Sequence, residues 1–193
     1  LLPEAQKLSA NVVYLPNGVD YDLFDREYGE PEEIKNIPHP RVIYVGAISD
    51  WLDLKLVRNI AVQLPSLSFI IIGPVLSGFQ SRARRIQMDN LSRLNNCFYL
   101  GPRAHEKIPA YLKHSDIGWI PFKTNELTHS ISPIKLYEYA ADGLPVVSSK
   151  MTESYQFKDM VSFYSSQDEA VQRLDQAQDP DPSARERRRT WAK

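Results

Sequence analysis

Five short apolar runs, each bounded by glycine or proline or by a polar turn, limit what this chain can fold into. They are Arg41–Gly46, Leu67–Ile72 before Gly73-Pro74, Cys97–Leu100 before Gly101-Pro102, Asp116–Ile120 before Pro121, and Pro145–Ser149. Runs of this length that are apolar throughout, rather than alternating, suit strands buried on both faces of a parallel sheet. Between them Leu56, Val57, Ile60, Ala61 and Leu64 recur at helical spacing, Ser81–Asn95 carries Ala83, Ile86, Asn90, Leu91 and Leu94 on one face, and His105–His114 turns Ile108, Tyr111 and Leu112 inward. Val161–Tyr164 adds a further strand and Gln167–Ala177 a closing helix. This alternation predicts an α/β fold: a Rossmann-like parallel sheet of about six strands with helices on both faces, wound by right-handed crossovers.

The α/β domain is expected over residues 41–178. Ahead of it, Val12–Pro16 predicts a short strand entering an Asn17-Gly18 turn, and the acidic stretch Asp20–Pro40, broken by Gly29, Pro31, Pro38 and Pro40, reads as a linker without period. Residues 179–193 form a basic tail, with Arg185, Arg187, Arg188, Arg189 and Lys193 around Trp191. The opening Leu1-Leu2-Pro3-Glu4 is neither a signal peptide nor an initiator methionine, so the chain is expected to be part of a longer protein.

Inside the domain, Ser132 before Pro133 is a helix-start signal, and Gly143 before Pro145 marks the stop. Lys135 then falls in the first turn, where a cation faces the positive end of the helix dipole. An anion would remove that penalty. Free amides, Lys135 and the hydroxyls of Thr128, Ser130 and Ser132 together make a candidate phosphate cradle. Glu138, on the same helical face, can accept hydrogen bonds from a polyol such as ribose. The alternative is a local Lys135–Glu138 ion pair on a solvated face. Ligands of parallel sheets bind beyond the carboxyl ends of the strands. Gly46, Gly73, Gly101 and the loop from Pro121 to Pro133 are therefore expected around one crevice.

Other chemistries find less support. With 23 basic and 24 acidic residues the net charge is −1, so no overall field draws the chain to nucleic acid. Cys97 is the single cysteine, which excludes an internal disulfide and a cysteine-built metal site, and the four histidines have no ligand spacing. No metal or other cofactor is expected. Ser132-x-x-Lys135 matches a motif of penicillin-recognising enzymes, but its Ser-Asp-Asn and Lys-Thr-Gly companions are missing. Neither Gly-x-Gly-x-x-Gly nor a Walker-type loop occurs. No run approaches the roughly 18 apolar residues of a spanning helix. Arg82, Arg84, Arg85 and Arg93, and the basic tail, are either solvated faces or contacts to an anionic membrane.

The run Pro133-Ile134-Lys135-Leu136-Tyr137-Glu138-Tyr139-Ala140-Ala141-Asp142-Gly143-Leu144-Pro145-Val146-Val147 resembles the C-terminal half of GT-B glycosyltransferases, most closely the retaining bacterial enzymes of the sucrose-synthase-like family. Leu15–Asp20 looks like the hinge between their acceptor and donor domains, and Tyr99-Leu100-Gly101-Pro102 like the segment bordering the nucleotide base. The resemblance implies a donor domain for a nucleoside-diphosphate sugar, uridine first and guanosine second. Residues 1–40 would be a remnant of the acceptor domain and the hinge.

By the same resemblance Lys135, Ser132, Ser130, Thr128 and Gly46 would hold the diphosphate, Glu138 the ribose, and Gly101, Pro102 and Arg103 the base. Ser130 stands where many members carry a second glutamate, and Ala47 where they carry arginine, which leaves Lys135 as the phosphate cation. The implied enzyme moves a sugar to a glycan or lipid-linked acceptor of cell-surface polysaccharide, in the cytoplasm or peripherally at the inner membrane face. Its acceptor-side catalytic groups lie outside this chain. A non-catalytic module of the same fold and a GT-B-like epimerase are the alternatives.

Overall fold

The structure, a computed structural model, describes residues 6–9, 11–13, 15, 17–76, 82–129, 131, 133–151, 154, 157–178 and 182–193. One six-stranded sheet is built from β1 (Arg41–Val45), β2 (Ser68–Ile72), β3 (Cys97–Gly101), β4 (Ile117–Ile120), β5 (Val146–Ser149) and β6 (Val161–Tyr164), in the order β3-β2-β1-β4-β5-β6. Every pairing is parallel. The helices are α1 (Tyr21–Asp25), α2 (Leu54–Gln63), α3 (Arg82–Ser92), α4 (Ile108–Lys113), α5 (Glu126–His129), α6 (Lys135–Asp142), α7 (Gln167–Gln176) and α8 (Pro182–Ala192). The expected Rossmann-like α/β architecture is present. The expected strand over residues 12–16 is not: Val13 and Leu15 are exposed and unpaired in any sheet, and Tyr14 and Pro16 lie outside the described residues.

The strands form where the sequence is apolar on both faces. All five residues of β2 and all four of β4 are buried, and Phe69 rests against Trp119 with ring centroids 5.6 Å apart. Helix starts follow capping chemistry: Asp53 accepts from the Leu56 amide at 3.0 Å to open α2, and Ser166 from Glu169 at 3.2 Å to open α7. Helix α6 stops where Gly143 turns left-handed at φ +82°, its amide donating to Ala140 and that of Leu144 to Tyr139. Gly118 lets α6 sit close to the sheet, because a Cβ there would lie 2.4 Å from the Tyr139 ring. The Tyr139 hydroxyl accepts from the Val45 amide at 2.9 Å, so α6 is docked across β4 onto the end of β1.

The linker is more ordered than its sequence suggests. Phe24, Ile34 and Ile37 are buried anchors, and the buried Arg41 side chain gathers the stretch around them. The basic tail also differs from expectation. Residues 182–192 form α8, packed on α6, where Arg185 donates to the Asp142 carbonyl and Arg188 to that of Gly143. These two arginines satisfy and neutralise the negative end of α6. Arg189 pairs with Asp25 of α1, and Trp191 stacks on Tyr137 at 5.3 Å. Arg185, Arg188 and Arg189, read from sequence either as a solvated face or as contacts to an anionic membrane, therefore tie α8 to α6 and α1. No helix among the described residues is long and apolar enough to cross a membrane.

Candidate functional site

Strand order reverses at β1, whose neighbours are β2 on one side and β4 on the other, and such a switch point opens a crevice at the carboxyl ends of the strands. Three glycines line up there. The Gly46 amide donates to the Ile72 carbonyl at 2.8 Å and the Gly73 amide to Gly101 at 3.0 Å, which links the ends of β1, β2 and β3. All three have positive φ, and a Cβ on Gly73 would lie 2.1 Å from the Gly46 carbonyl oxygen. The loops after β1 and β4 are tied across the switch by Asp53 N–H to Pro121 at 2.9 Å and Lys123 N–H to Trp51 at 2.7 Å.

Lys135 begins α6 and its side chain runs back over Gly46, as helical side chains do toward the N-terminus. A Cβ on Gly46 would lie 2.3 Å from Lys135 Cε and 2.7 Å from its Nζ, so glycine makes the space that the ammonium occupies. Nζ stands 5.6 Å from the Tyr44 ring centroid and 5.5 Å from that of Phe122, within cation–π range. No carboxylate or carbonyl among the described residues takes a hydrogen bond from it. Burial pushes the Lys135 ammonium below the ordinary lysine value, with Glu138 acting the other way. The solvated Lys135–Glu138 pair considered above is not what forms. Instead Glu138, only 6% exposed, has its Oε1 3.1 Å from Nε2 of His105.

The remaining expected residues fall in different places. Ser130 and Ser132, and with them the expected serine cap of α6, lie outside the described residues; the helix itself begins at Lys135, two residues later than the Pro133 signal suggested. Thr128 corrects its expected role. It is fully buried, its hydroxyl donates to the Lys123 carbonyl at 2.6 Å and accepts from the Asn125 amide at 2.9 Å, so it shapes the loop from within. Gly101 and Pro102 end β3 on the crevice side, and Arg103 is fixed by Glu33, which accepts from its Nε at 3.0 Å and from the Tyr111 hydroxyl. Those two hydrogen bonds, Tyr111 first, hold the Glu33 carboxyl below its usual range. The acidic residues after β1 are accounted for structurally, since Asp53 caps α2 and Asp50 pairs with Arg84.

His105, Glu33, Tyr44 and Phe122 were not singled out as site residues from sequence. Only His105 carried a signal, as a titratable side chain four residues past the strand-end Gly101. Among the described residues no cluster of three or more His, Cys, Asp or Glu side chains could hold a metal ion. A separate apolar cavity of about 420 Å³ lies between α3 and β2–β3, lined by Ile71, Met88, Leu91 and Phe98, away from Lys135. Charge, strand-end glycines and the near-buried carboxylate all favour the switch-point crevice as the site.

Comparison with known proteins agrees with this fold. The crystal structure of Anabaena Alr3699/HepE in complex with UDP and glucose matches with a TM-score of 0.71 at 18% identity, over 91% of this chain and 50% of that one. That of WaaG, a glycosyltransferase involved in lipopolysaccharide biosynthesis, matches with a TM-score of 0.68 at 18% identity, over 92% and 51%. TuaH of Bacillus subtilis (strain 168), assigned as a teichuronic acid biosynthesis glycosyltransferase, is 29% identical over 150 residues, 74% of this chain. The chain spans 36% of the length of that relative and about half of the solved structures. The fold is thus the C-terminal half of the GT-B architecture. Residues 39–174, more than half of the chain, match the family described as Glycosyl transferases group 1, and the chain belongs to that family.

Proposed function

We propose that this chain is the donor-binding half of a glycosyltransferase that moves a sugar from a nucleoside-diphosphate sugar, uridine first and guanosine second, to a glycan or lipid-linked acceptor in cell-surface polysaccharide synthesis. The observation that carries the reading is Lys135: a desolvated ammonium over Gly46 at the switch point, without an anionic hydrogen-bond partner among the described residues. A diphosphate supplies the missing charge. Lys135 and the amides opening α6 would stabilise the leaving diphosphate electrostatically, without a metal. Glu138 would take the ribose hydroxyls, and Gly101, Pro102 and Arg103 would border the base. The UDP in the Anabaena structure supports the donor class, and the teichuronic acid assignment of TuaH supports the acceptor class. On this reading the protein works in the cytoplasm, at the inner face of the membrane when its acceptor is lipid-linked.

The test is a titration of the chain with uridine, guanosine and adenosine diphosphates, followed by amide NMR. One base is expected to give saturable shifts at Gly46, Gly101 to Arg103 and Lys135 to Glu138, at about millimolar strength, near −4 kcal/mol. Absence of binding by all three would sink the reading. In the same assay Glu138→Gln is expected to weaken the ribonucleotide by about tenfold and its deoxy form by less, since a carboxylate is the better partner for two hydroxyls. Equal losses would remove the ribose assignment.

A pH dependence follows from Lys135. Its pKa is lowered in the fold, so the unfolded state binds the proton better; the fold carries a penalty at low pH that is relieved as pH rises through the lowered pKa toward the ordinary value. A bound diphosphate favours the cation and reverses that preference. Affinity is therefore expected to be full below the lowered pKa and to fall as pH rises through it, with proton uptake on binding in the same window. Calorimetry in buffers of different ionisation heat measures that uptake, and a flat profile would mean the ammonium does not meet the phosphate.

A further inference from the structure

Resting on the assignment of Glu138 to the ribose, we propose that His105 is the positioning residue for that carboxylate and sets the preference for a ribonucleotide over a deoxyribonucleotide. Glu138 is nearly buried, and His105 supplies the hydrogen-bond partner that the structure gives its carboxylate. Nε2 faces a carboxylate oxygen, so it carries the proton, both in the cation and in the corresponding neutral tautomer. It therefore engages Oε1 and leaves Oε2 as the acceptor for a vicinal diol.

The histidine is itself fixed. It opens the turn His105–Lys107 directly after the Gly101–Arg103 segment, and its ring meets the fully buried Phe24 of α1 edge-on, with centroids 5.7 Å apart. Arg103, two residues earlier, is held by Glu33. Both ends of the short connection that carries His105 are thereby anchored to the linker. Yet the His105 side chain is 54% exposed, which places it at the rim of the crevice rather than in the core.

The arrangement also separates two charges. Glu138 lies on the Lys135 face of α6 and attracts its ammonium. Without His105 the carboxylate would be free to turn toward Lys135, and a Glu138–Lys135 pair would withdraw the diol acceptor and the phosphate cation from a ligand together. His105 keeps the carboxylate on the ribose side. Each group then remains available for its own part of the nucleotide.

The experiment measures dissociation constants of the chain for UDP and 2′-deoxy-UDP, with GDP and its 2′-deoxy form as the second pair. The wild-type chain is expected to prefer the ribonucleotide, and His105→Ala to lower that preference about tenfold while changing the deoxy affinity by less than about threefold. His105→Gln should restore the preference, because its side-chain amide can donate from a position close to that of Nε2, and His105→Asn, one bond shorter, should not. Thermal melts check folding. If His105→Ala does not fold, the Gln and Asn variants carry the comparison. An unchanged ratio in His105→Ala, or equal ratios in the Gln and Asn variants, overturns the inference while nucleotide binding stands. A wild-type chain that binds ribo and deoxy forms equally overturns the ribose assignment, and one that binds none of the four overturns the donor-domain reading; this inference falls with either.

Discussion

Arg41→Leu is expected to destabilise the chain by about 3–5 kcal/mol, the range for removing one partner of a buried, charged hydrogen-bond network. The guanidinium is 2% exposed and all of its nitrogens are engaged. Nε donates to the Ile37 carbonyl at 2.8 Å, Nη2 to Ile34 at 2.8 Å, and Nη1 to Glu30 Oε1 at 2.6 Å and to the His114 carbonyl at 2.9 Å. Leucine would leave three carbonyls without their donor in one step and remove the partner of the part-exposed Glu30 carboxylate. Replacing a whole buried ion pair by apolar groups is often nearly neutral, but here only one partner goes. Arg41→Lys should recover a part only, since an ammonium has three donors and no planar fork to span four acceptors. Urea unfolding at unchanged m-value measures the loss, equivalent to roughly 6–20 °C in melting temperature for a chain of this size. Wild-type stability in Arg41→Leu would mean that Phe24, Ile34, Ile37 and the Glu33 and Asp25 ion pairs hold the linker without this network.

That network also shows where sequence reading stops. The strands were legible because burial on both faces leaves an apolar run bounded by turn residues, a local signal. The linker was not, because Phe24, Ile34 and Ile37 are single anchors without period, and Arg41 at the head of an apolar run looks like a surface charge. Its acceptors at Glu30, Ile34, Ile37 and His114 come from both sides of β1 in sequence. The docking of the tail was hidden for the same reason: Arg185, Arg188 and Arg189 share a helical face that reads as solvated or as a membrane contact, and only the docked α8 shows that the last carbonyls of α6 take donors from it.

The place of Lys135 at the crevice was legible because a cation in the first turn of a helix conflicts with the dipole, a conflict visible within a few residues. Glu138 followed from its position on the same helical face. Its partner His105 lies 33 residues away, and no spacing rule connects a strand-end turn to a helix after the next strand. Thr128 was assigned outward because a hydroxyl-rich loop before a helix looks like an anion site. Hydroxyls that cap the loop's own backbone have the same composition, so sequence does not separate the two.

Lys135 is where charge and packing can be separated experimentally. Lys135→Met keeps an unbranched stem between Tyr44 and Phe122 and removes the ammonium, so it deletes the phosphate contact without opening a large cavity. Diphosphate binding is expected to weaken by about 1.5–3 kcal/mol, roughly 10- to 150-fold, the range for a charge-assisted hydrogen bond. Stability of the unliganded chain should hold or rise, because burial disfavours the cation that is removed. Gly46→Ala tests the same position from the other side. Its methyl group would enter the space of Lys135 Cε and Nζ at a backbone φ of +154°, and should reproduce the binding loss while also lowering stability. If Lys135→Met binds diphosphate as wild type does, the phosphate role is wrong. If instead it lowers stability as Gly46→Ala does, the ammonium is held for its contacts with the two rings, and the anion site must be sought elsewhere along the strand-end glycines.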